Sequence, residues 1–201
     1  MKCDLCLSRK AVIELEYLGK SVCINCLERI TRRRIARVTR RFDLIPKKLR
    51  KVGILFDFSP TSFFALYYFS RLGLETFLLS KEKVSNRILR RFGVQKAKKS
   101  RGMEILVDPK CLDDFSTFFL ENLFEGKFRF LRPKDRRIVR PFIYLPEKEI
   151  ITLLKFRGIR GFRKVRRGKC YEFMLKAEEI RPGSMFSIVR LFEKLESRSL
   201  G

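Results

Sequence analysis

The run Val52-Gly53-Ile54-Leu55-Phe56, the polar turn Asp57-Phe58-Ser59-Pro60-Thr61-Ser62 and the apolar stretch Phe63 to Leu72 limit the possible folds more than any other part of the sequence. A short apolar run, a turn and a helix-length apolar stretch read as the first strand, loop and helix of an α/β domain. Two more units follow in the same order. Gly73 stops the helix, Leu74 to Leu79 gives a second strand, and a basic helix covers about residues 84–93. Met103 to Val107 gives a third strand, and Asp108-Pro109-Lys110-Cys111-Leu112-Asp113-Asp114 at its carboxyl end opens a helix through Leu123. This alternation predicts a parallel sheet flanked by helices, with right-handed crossovers. Pro146 to Ile150 reads as a further helix start, and Arg181 to Ser184 separates two short closing helices.

In an open parallel sheet the ligand crevice lies just past the strand ends, so the 57–62 turn is the expected position of an active site. A phosphate cradle needs glycines that let backbone N–H groups approach the anion, and usually a lysine. Here Pro60 has no N–H to give, Phe58 fills the space a glycine would leave, and Asp57 repels phosphate. The scaffold of a nucleotide site is present without its chemistry, and ATP is not expected as a cofactor.

Ahead of this domain stand Cys3-x2-Cys6 and Cys23-x2-Cys26, sixteen residues apart. Each pair on a tight knuckle offers two thiolates to one tetrahedral ion, and Ala11 to Val22 reads as a hairpin between the knuckles. A structural zinc finger over residues 1–28 is expected; disulfides or free thiols are the alternative states, disfavoured in a cytosolic protein. A closed shell of four thiolates leaves no position for substrate, so the ion organises the fold and does not catalyse.

The sequence holds 47 Lys+Arg against 22 Asp+Glu, a net charge of +25. Windows 29–51, 81–102, 127–140 and 155–169 hold 35 of the 47 basic residues and only three acids. Charge in blocks of this kind points to a polyanionic partner, RNA first, rather than to an evenly solvated basic surface. From Leu27 to Phe42, Leu27, Ile30, Ile35, Val38 and Phe42 fall within about a 140° arc of a helical wheel. Arg29, Arg32, Arg33, Arg37 and Arg40 take the rest, while Arg34 and Arg41 fall inside the apolar arc and are expected to snorkel outward. The competing reading is a merely solvated helix. Lys47 and Lys48 continue the charge, so residues 29–51 form a basic helix and connector leading into an α/β domain at 52–201. Histidine is absent, which removes the commonest general base near neutral pH. The start Met1-Lys2-Cys3-Asp4 has no apolar signal segment, and no apolar run nears the ~18 residues of a membrane span, so the expected location is cytoplasmic with no membrane partner.

Taken in order, these segments resemble the tRNA 2-thiouridine synthetases, the tRNA thiolation branch of the PP-loop family within the HUP-type α/β proteins, over nearly the whole length. That family begins with a zinc finger, as at Cys3, Cys6, Cys23 and Cys26, followed by a basic helix, a strand and an S-G-G-K-D-S loop. At Asp57 to Ser62 only the last serine agrees. The family's G-H-N-L-D-D and the N-L-L-R-G closing the next helix are similar to Pro109 to Asp114 and to Asn122-Leu123-Phe124-Glu125-Gly126. Its P-E-K-E-I segment, its C-P-Y and its R-P-G-x-x-F-x-I-V-R are similar to Pro146 to Ile150, Cys170-Tyr171 and Arg181 to Arg190. The loop glycines and lysine, the central cysteine pair (C-x2-C) and the carboxy-terminal finger of the family are missing.

The resemblance implies a degenerate, truncated paralogue with a tRNA-related role. Its residual site candidates are Ser59 and Ser62 in the nucleotide loop and Cys170, Asp113 and Cys111 for catalysis, with Asp114 beside Asp113 as either a magnesium ligand or a helix-end acid. Lys169 and Arg167 beside Cys170 favour a thiolate there, whereas a buried inert thiol is the plainer reading of either cysteine. With the central cysteine pair lost, an iron–sulfur cluster is not expected. The leading reading is a non-catalytic tRNA-binding protein, alone as a homodimer or paired with a catalytic thiolation subunit. Arg29, Arg32, Arg33, Arg37, Arg40, Arg41, Lys47, Lys48, Arg163, Lys164, Arg166 and Arg167 supply its phosphate contacts. The alternatives are a divergent thiolation enzyme acting through Cys170 and an unusual nucleotide site, or a zinc-containing ribosome-associated accessory.

Overall fold

The structure, a computed structural model, describes residues 1–127, 129–163, 165 and 167–199. A small hairpin, β1 (Ile13–Leu15) and β2 (Lys20–Val22), leads into α1 (Ile24–Arg41). The α/β part then runs β3 (Lys51–Leu55), α2 (Pro60–Phe69), β4 (Glu75–Leu79), α3 (Asn86–Phe92), β5 (Gln95–Ala97), β6 (Ile105–Val107) and α4 (Leu112–Phe124). The pair β7 (Lys134–Asp135) and β8 (Ile138–Val139) and three helices, α5 (Glu147–Phe156), α6 (Lys169–Ile180) and α7 (Ser184–Ser199), complete it. No described helix is long and apolar enough to cross a membrane.

The sheet has the order β5-β4-β3-β6-β8-β7, every pair parallel except the last. The expected parallel sheet is therefore present, extended at both edges by strands too short to show an apolar period. The third strand starts at Ile105 rather than Met103 because Met103 turns over the sheet instead of joining it. A Cβ on Gly53 would lie 2.5 Å from the Met103 Sδ, so only glycine admits that approach. α2 starts where its chemistry dictates. Ser59 is its cap, its Oγ accepting the Ser62 N–H at 3.2 Å, and Pro60 occupies the first turn. The helix is buried almost all round, Phe64 and Phe69 packing on Phe142, which explains why its sequence shows an apolar run and not a stripe.

The two faces of the sheet differ. Val52, Ile54, Leu78, Val107 and Val139 are fully buried on one side. Leu55, Phe77, Leu79 and Ala97, which alternate with them, are only half-buried. α1 begins three residues earlier than its apolar stripe suggests, at the second cysteine pair, so the metal knuckle and the basic helix are one continuous element. Arg34 does not snorkel. Its side chain is 15% exposed and reaches inward to the carboxylate of Glu149 on α5, 2.9 Å away.

Candidate functional site

Three places gather the polar side chains of interest. The first is the cysteine cage. Leu7, at φ 56°, closes the first knuckle by donating its N–H to the Cys3 carbonyl at 2.9 Å. The second knuckle is the start of α1, where the Leu27 N–H meets the Cys23 carbonyl at 2.9 Å. Across the hairpin, Asp4 accepts the Ser21 N–H at 2.6 Å. The sulfurs of Cys3, Cys6, Cys23 and Cys26 all lie within 4.8 Å of one another, and Cys6 and Cys23 are 3.7 Å apart. Four sulfurs about 2.3 Å from a single ion in a tetrahedron sit about 3.8 Å apart, so the cage fits one metal ion. Its surroundings are graded. The Ser8 hydroxyl, 3.4 Å from Cys6, holds that thiol down at about 5, while burial pushes Cys26 up to about 12. Arg29, exposed at the head of α1, turns its guanidinium to the Cys26 sulfur at 3.7 Å.

The second place is the crevice at the carboxyl ends of β3 and β6. Ser59 and Ser62 lie there, as the topology requires, but their polar atoms are turned inward. The Ser62 hydroxyl donates to the Ser59 carbonyl at 2.9 Å, and the Asp57 carboxylate accepts both the N–H and the hydroxyl of Ser59. Phe58 adopts φ 63° and stacks its edge on Phe56, with the Arg163 guanidinium 4.5 Å above its ring. Arg163 completes this lid by pairing with Glu82 at 2.7 Å. The remaining cavity, about 380 Å³, is lined by Asp57, Glu82, Asp108 and Asp114 against Lys81 and Lys110. Three of these carboxylates already hold an arginine, Asp108 with Arg140, Glu82 with Arg163 and Asp114 with Arg167, so these arginines are engaged.

Deeper in, Arg167 is 5% exposed and bridges Glu147 at 2.7 Å and Asp114 at 3.0 Å, with its guanidinium over the Tyr171 ring. Burial pulls this arginine down, but the two carboxylates outweigh that and hold it above its ordinary value. The residue is thus fixed inside the protein, where it also points to the Cys111 sulfur at 3.8 Å. Asp113 is equally enclosed. It accepts the Glu147 N–H at 2.7 Å and the Tyr171 hydroxyl at 3.3 Å, and burial raises its carboxyl to about 6. Cys111 caps α4 with no exposed surface, and burial pushes its thiol well above the ordinary value. Cys170 lies half-buried in the first turn of α6, and no hydrogen bond among the described residues joins it to Cys111.

The third place is a groove of about 750 Å³ between α1 and the α6–α7 turn. Its floor is aromatic. Tyr144 stacks on Phe186 at 6.3 Å, Tyr17 leans on Phe186 at 4.7 Å, and Arg34 is inserted beneath the rings. Tyr17 comes from the cysteine hairpin and donates its hydroxyl to Glu149 at 2.8 Å, so that hairpin forms one wall. Arg33, Arg37 and Arg41 of α1 line one side, and Arg181 and Arg190 the other. The sequence pointed to the α1 arginines but not to Arg181 and Arg190, which stand alone among apolar and acidic neighbours. Arg32, Arg40, Lys47 and Lys48 are exposed outside the groove, with Arg32 held by Glu28 at 2.9 Å. Lys164 and Arg166 lie outside the described residues.

Fold and cage together define a class: a mostly parallel α/β sheet joined to an amino-terminal four-cysteine cage that fits one metal ion. No family model matches the sequence and no curated protein matches it. Among solved structures, the protein is similar to the U34-tRNA thiolase NcsA from Methanococcus maripaludis, described with its [4Fe-4S] cluster. The TM-score is 0.76 over 97% of this protein and 87% of that one, at 16% identity, a likeness that establishes the fold. That thiolase carries an iron–sulfur cluster on the same fold, which weakens the expectation that none is bound here. Four of this protein's cysteines close around one point, and Cys111 and Cys170 are left outside it.

Proposed function

We propose that this is a tRNA-binding protein on a thiolase-type fold, serving tRNA thiolation without performing the nucleotide chemistry. The observation that carries the reading is the groove between α1 and α7, where exposed arginines from two elements converge over tyrosine and phenylalanine rings. Guanidinium groups on both walls suit phosphate oxygens, and the rings suit an unstacked base. The structural neighbour's own substrate class makes tRNA the first choice of RNA. The crevice supports the non-catalytic part. Its hydroxyls are consumed by its own turn, Pro60 at the head of α2 has no N–H to offer an anion, and Arg167 is already held by Asp114 and Glu147.

In this reading residues 1–28 form the finger, 29–51 the basic connector and 52–201 the α/β platform. The four thiolates hold zinc, which fixes the hairpin that presents Tyr17 to the groove. The test is tRNA affinity as a function of salt. Each phosphate neutralised makes log K fall by about 0.7–0.9 per log unit of salt, so a steep slope is expected. A flat salt dependence, or equal affinity for an acidic control polymer, overturns the reading. Calorimetry with ATP and magnesium addresses catalysis separately, and saturable binding abolished by Ser59→Ala or Ser62→Ala would return the enzyme reading.

A further inference from the structure

The backbone passes from Ala97 at the end of β5 to Ile105 at the start of β6 in seven residues, 98–104. Those residues return to the amino ends of the strands and cross three strand spacings. Three spacings are about 14 Å and seven extended residues reach about 24 Å, so no length remains for a helix. Parallel strands are ordinarily joined by a dozen or more residues, whose helix covers the sheet. Here the cover is a single strap. Met103 lies over Gly53, while Leu55, Phe77, Leu79 and Ala97 remain half-exposed beside it, next to strand residues that are fully buried on the other face.

What borders this bare area is cationic. Leu55, Leu79 and Leu106 form the floor of a shallow depression of about 740 Å³, and Lys98, Lys99, Arg101 and Arg137 form its rim. No carboxylate among the described residues pairs with those four. Arg137 instead donates to the Ser100 hydroxyl at 2.9 Å, which fixes it at the edge of the strap.

We propose that this face is a docking site for an amphipathic helix of a partner protein, one presenting aliphatic residues at i, i+3, i+4 and i+7 with Asp or Glu on its flanks. Such a helix restores the layer that the short crossover omits. Its aliphatic ridge meets Leu55 and Leu79, which lie over the buried Leu106, and its carboxylates meet the four cations of the rim. RNA fits less well, because base stacking wants aromatic faces and this floor is mainly aliphatic. A second copy fits less well too, since it adds another +25 beside a rim that is already positive.

The experiment uses the full-length protein and a labelled helical peptide of roughly 15 residues, about four turns, with leucines at that spacing and glutamates on both flanks. Its controls carry lysine in place of glutamate, or the same residues in scrambled order. The glutamate peptide is expected to bind at least about tenfold more tightly than either control. Leu79→Asp is expected to weaken it by about tenfold, and so is the pair Lys98→Glu and Arg101→Glu, whose exposed side chains can change sign without disturbing the core. No binding by the glutamate peptide, equal binding by the scrambled peptide, or insensitivity to both variants overturns the proposal. Displacement of the peptide by a uridine oligonucleotide assigns the face to RNA, and a dimer seen by sedimentation without peptide and abolished by Leu79→Asp assigns it to a second copy; either result overturns the proposal.

Discussion

The crevice at the strand ends and the groove between α1 and α7 are both built with arginines, yet they dispose of them differently. In the crevice, Arg167, Arg140 and Arg163 each meet a carboxylate at 2.7–3.0 Å, and two of the three are nearly buried. In the groove Arg33, Arg37, Arg181 and Arg190 stand exposed on the walls, and Arg34, which meets the acid of Glu149, lies beneath the floor. The difference lies in where the few acids are placed. A protein with 22 acids against 47 bases uses them to lock particular cations inward and leaves the groove arginines at the surface.

The largest expected effect tests what the metal does for the groove alone. Structural zinc sites in small fingers contribute on the order of 10 kcal/mol of folding free energy, so chelation is expected to unfold the hairpin that carries Tyr17. Hydrogen exchange should then show residues 1–26 unprotected while α4 and α5 stay protected, with tRNA affinity reduced. Plasma mass spectrometry should read one zinc per molecule beforehand. If affinity survives chelation, the hairpin is not a wall of the site.

Next comes the crevice. Arg167→Met leaves Asp114 and Glu147 facing each other without their shared cation. Removing one partner of a buried ion pair costs about 3–5 kcal/mol, readable as a lower urea midpoint. Affinity for tRNA at fixed salt should hold within about twofold, since the lost charge faced no phosphate. A loss of affinity as large as that of any groove variant would erase the distinction between the two regions.

Much of this arrangement was legible from local pattern. The strand, turn and helix at 52–72 and the paired cysteines each announce themselves within a few residues, because a period or a spacing is a local property. The buried arginines are another matter. Arg34 finds Glu149 and Arg167 finds Asp114 across 115 and 53 residues of sequence, and nothing near either arginine marks it as inward-facing. Position on the helical wheel placed Arg34 in the apolar arc correctly, but the wheel could not supply the acid that lets it stay there. The edge strands were hidden for a related reason. β7 and β8 rest on four residues between charged neighbours, and their pairing is set by the sheet they join.

The buried carboxyls beneath the crevice and the groove floor share a pH signature, and the crevice supplies its clearest member. Burial raises Asp113 to about 6 from an ordinary 3.8, so the folded state holds a proton that the unfolded state releases. This contribution to stability is fully present below the unfolded value and is lost as pH rises through about 6. A shift of this size corresponds to on the order of 2–3 kcal/mol between pH 4 and 7. Glu149, also raised by burial, adds to the same slope. Glu28 works the other way, since against the pull of burial Arg157 and Arg32 hold it below its ordinary value, and its contribution fades in acid. Asp113→Asn keeps an acceptor for the Glu147 N–H and removes the titration, so urea midpoints at pH 4.5 and 7 should move closer together. An unchanged difference would mean that the carboxyl is not held in its neutral form.

The smallest effect on the fold is the most direct test of the groove. Arg181→Ala with Arg190→Ala removes two exposed guanidinium groups from the wall formed by the α6–α7 turn and α7. Stability should stay within about 0.5 kcal/mol of the parent. Affinity for tRNA should fall by about tenfold, and the salt slope should flatten by roughly 1.5, the share of two phosphates. Arg32→Ala is the matched comparison, an equally exposed arginine on the same helix as Arg33 but outside the groove and paired with Glu28. If it costs as much affinity as the Arg181 and Arg190 pair, then α1 binds RNA along its whole charged side and convergence of two walls adds nothing. If it costs little, position within the groove, and not charge alone, decides which arginines hold the RNA.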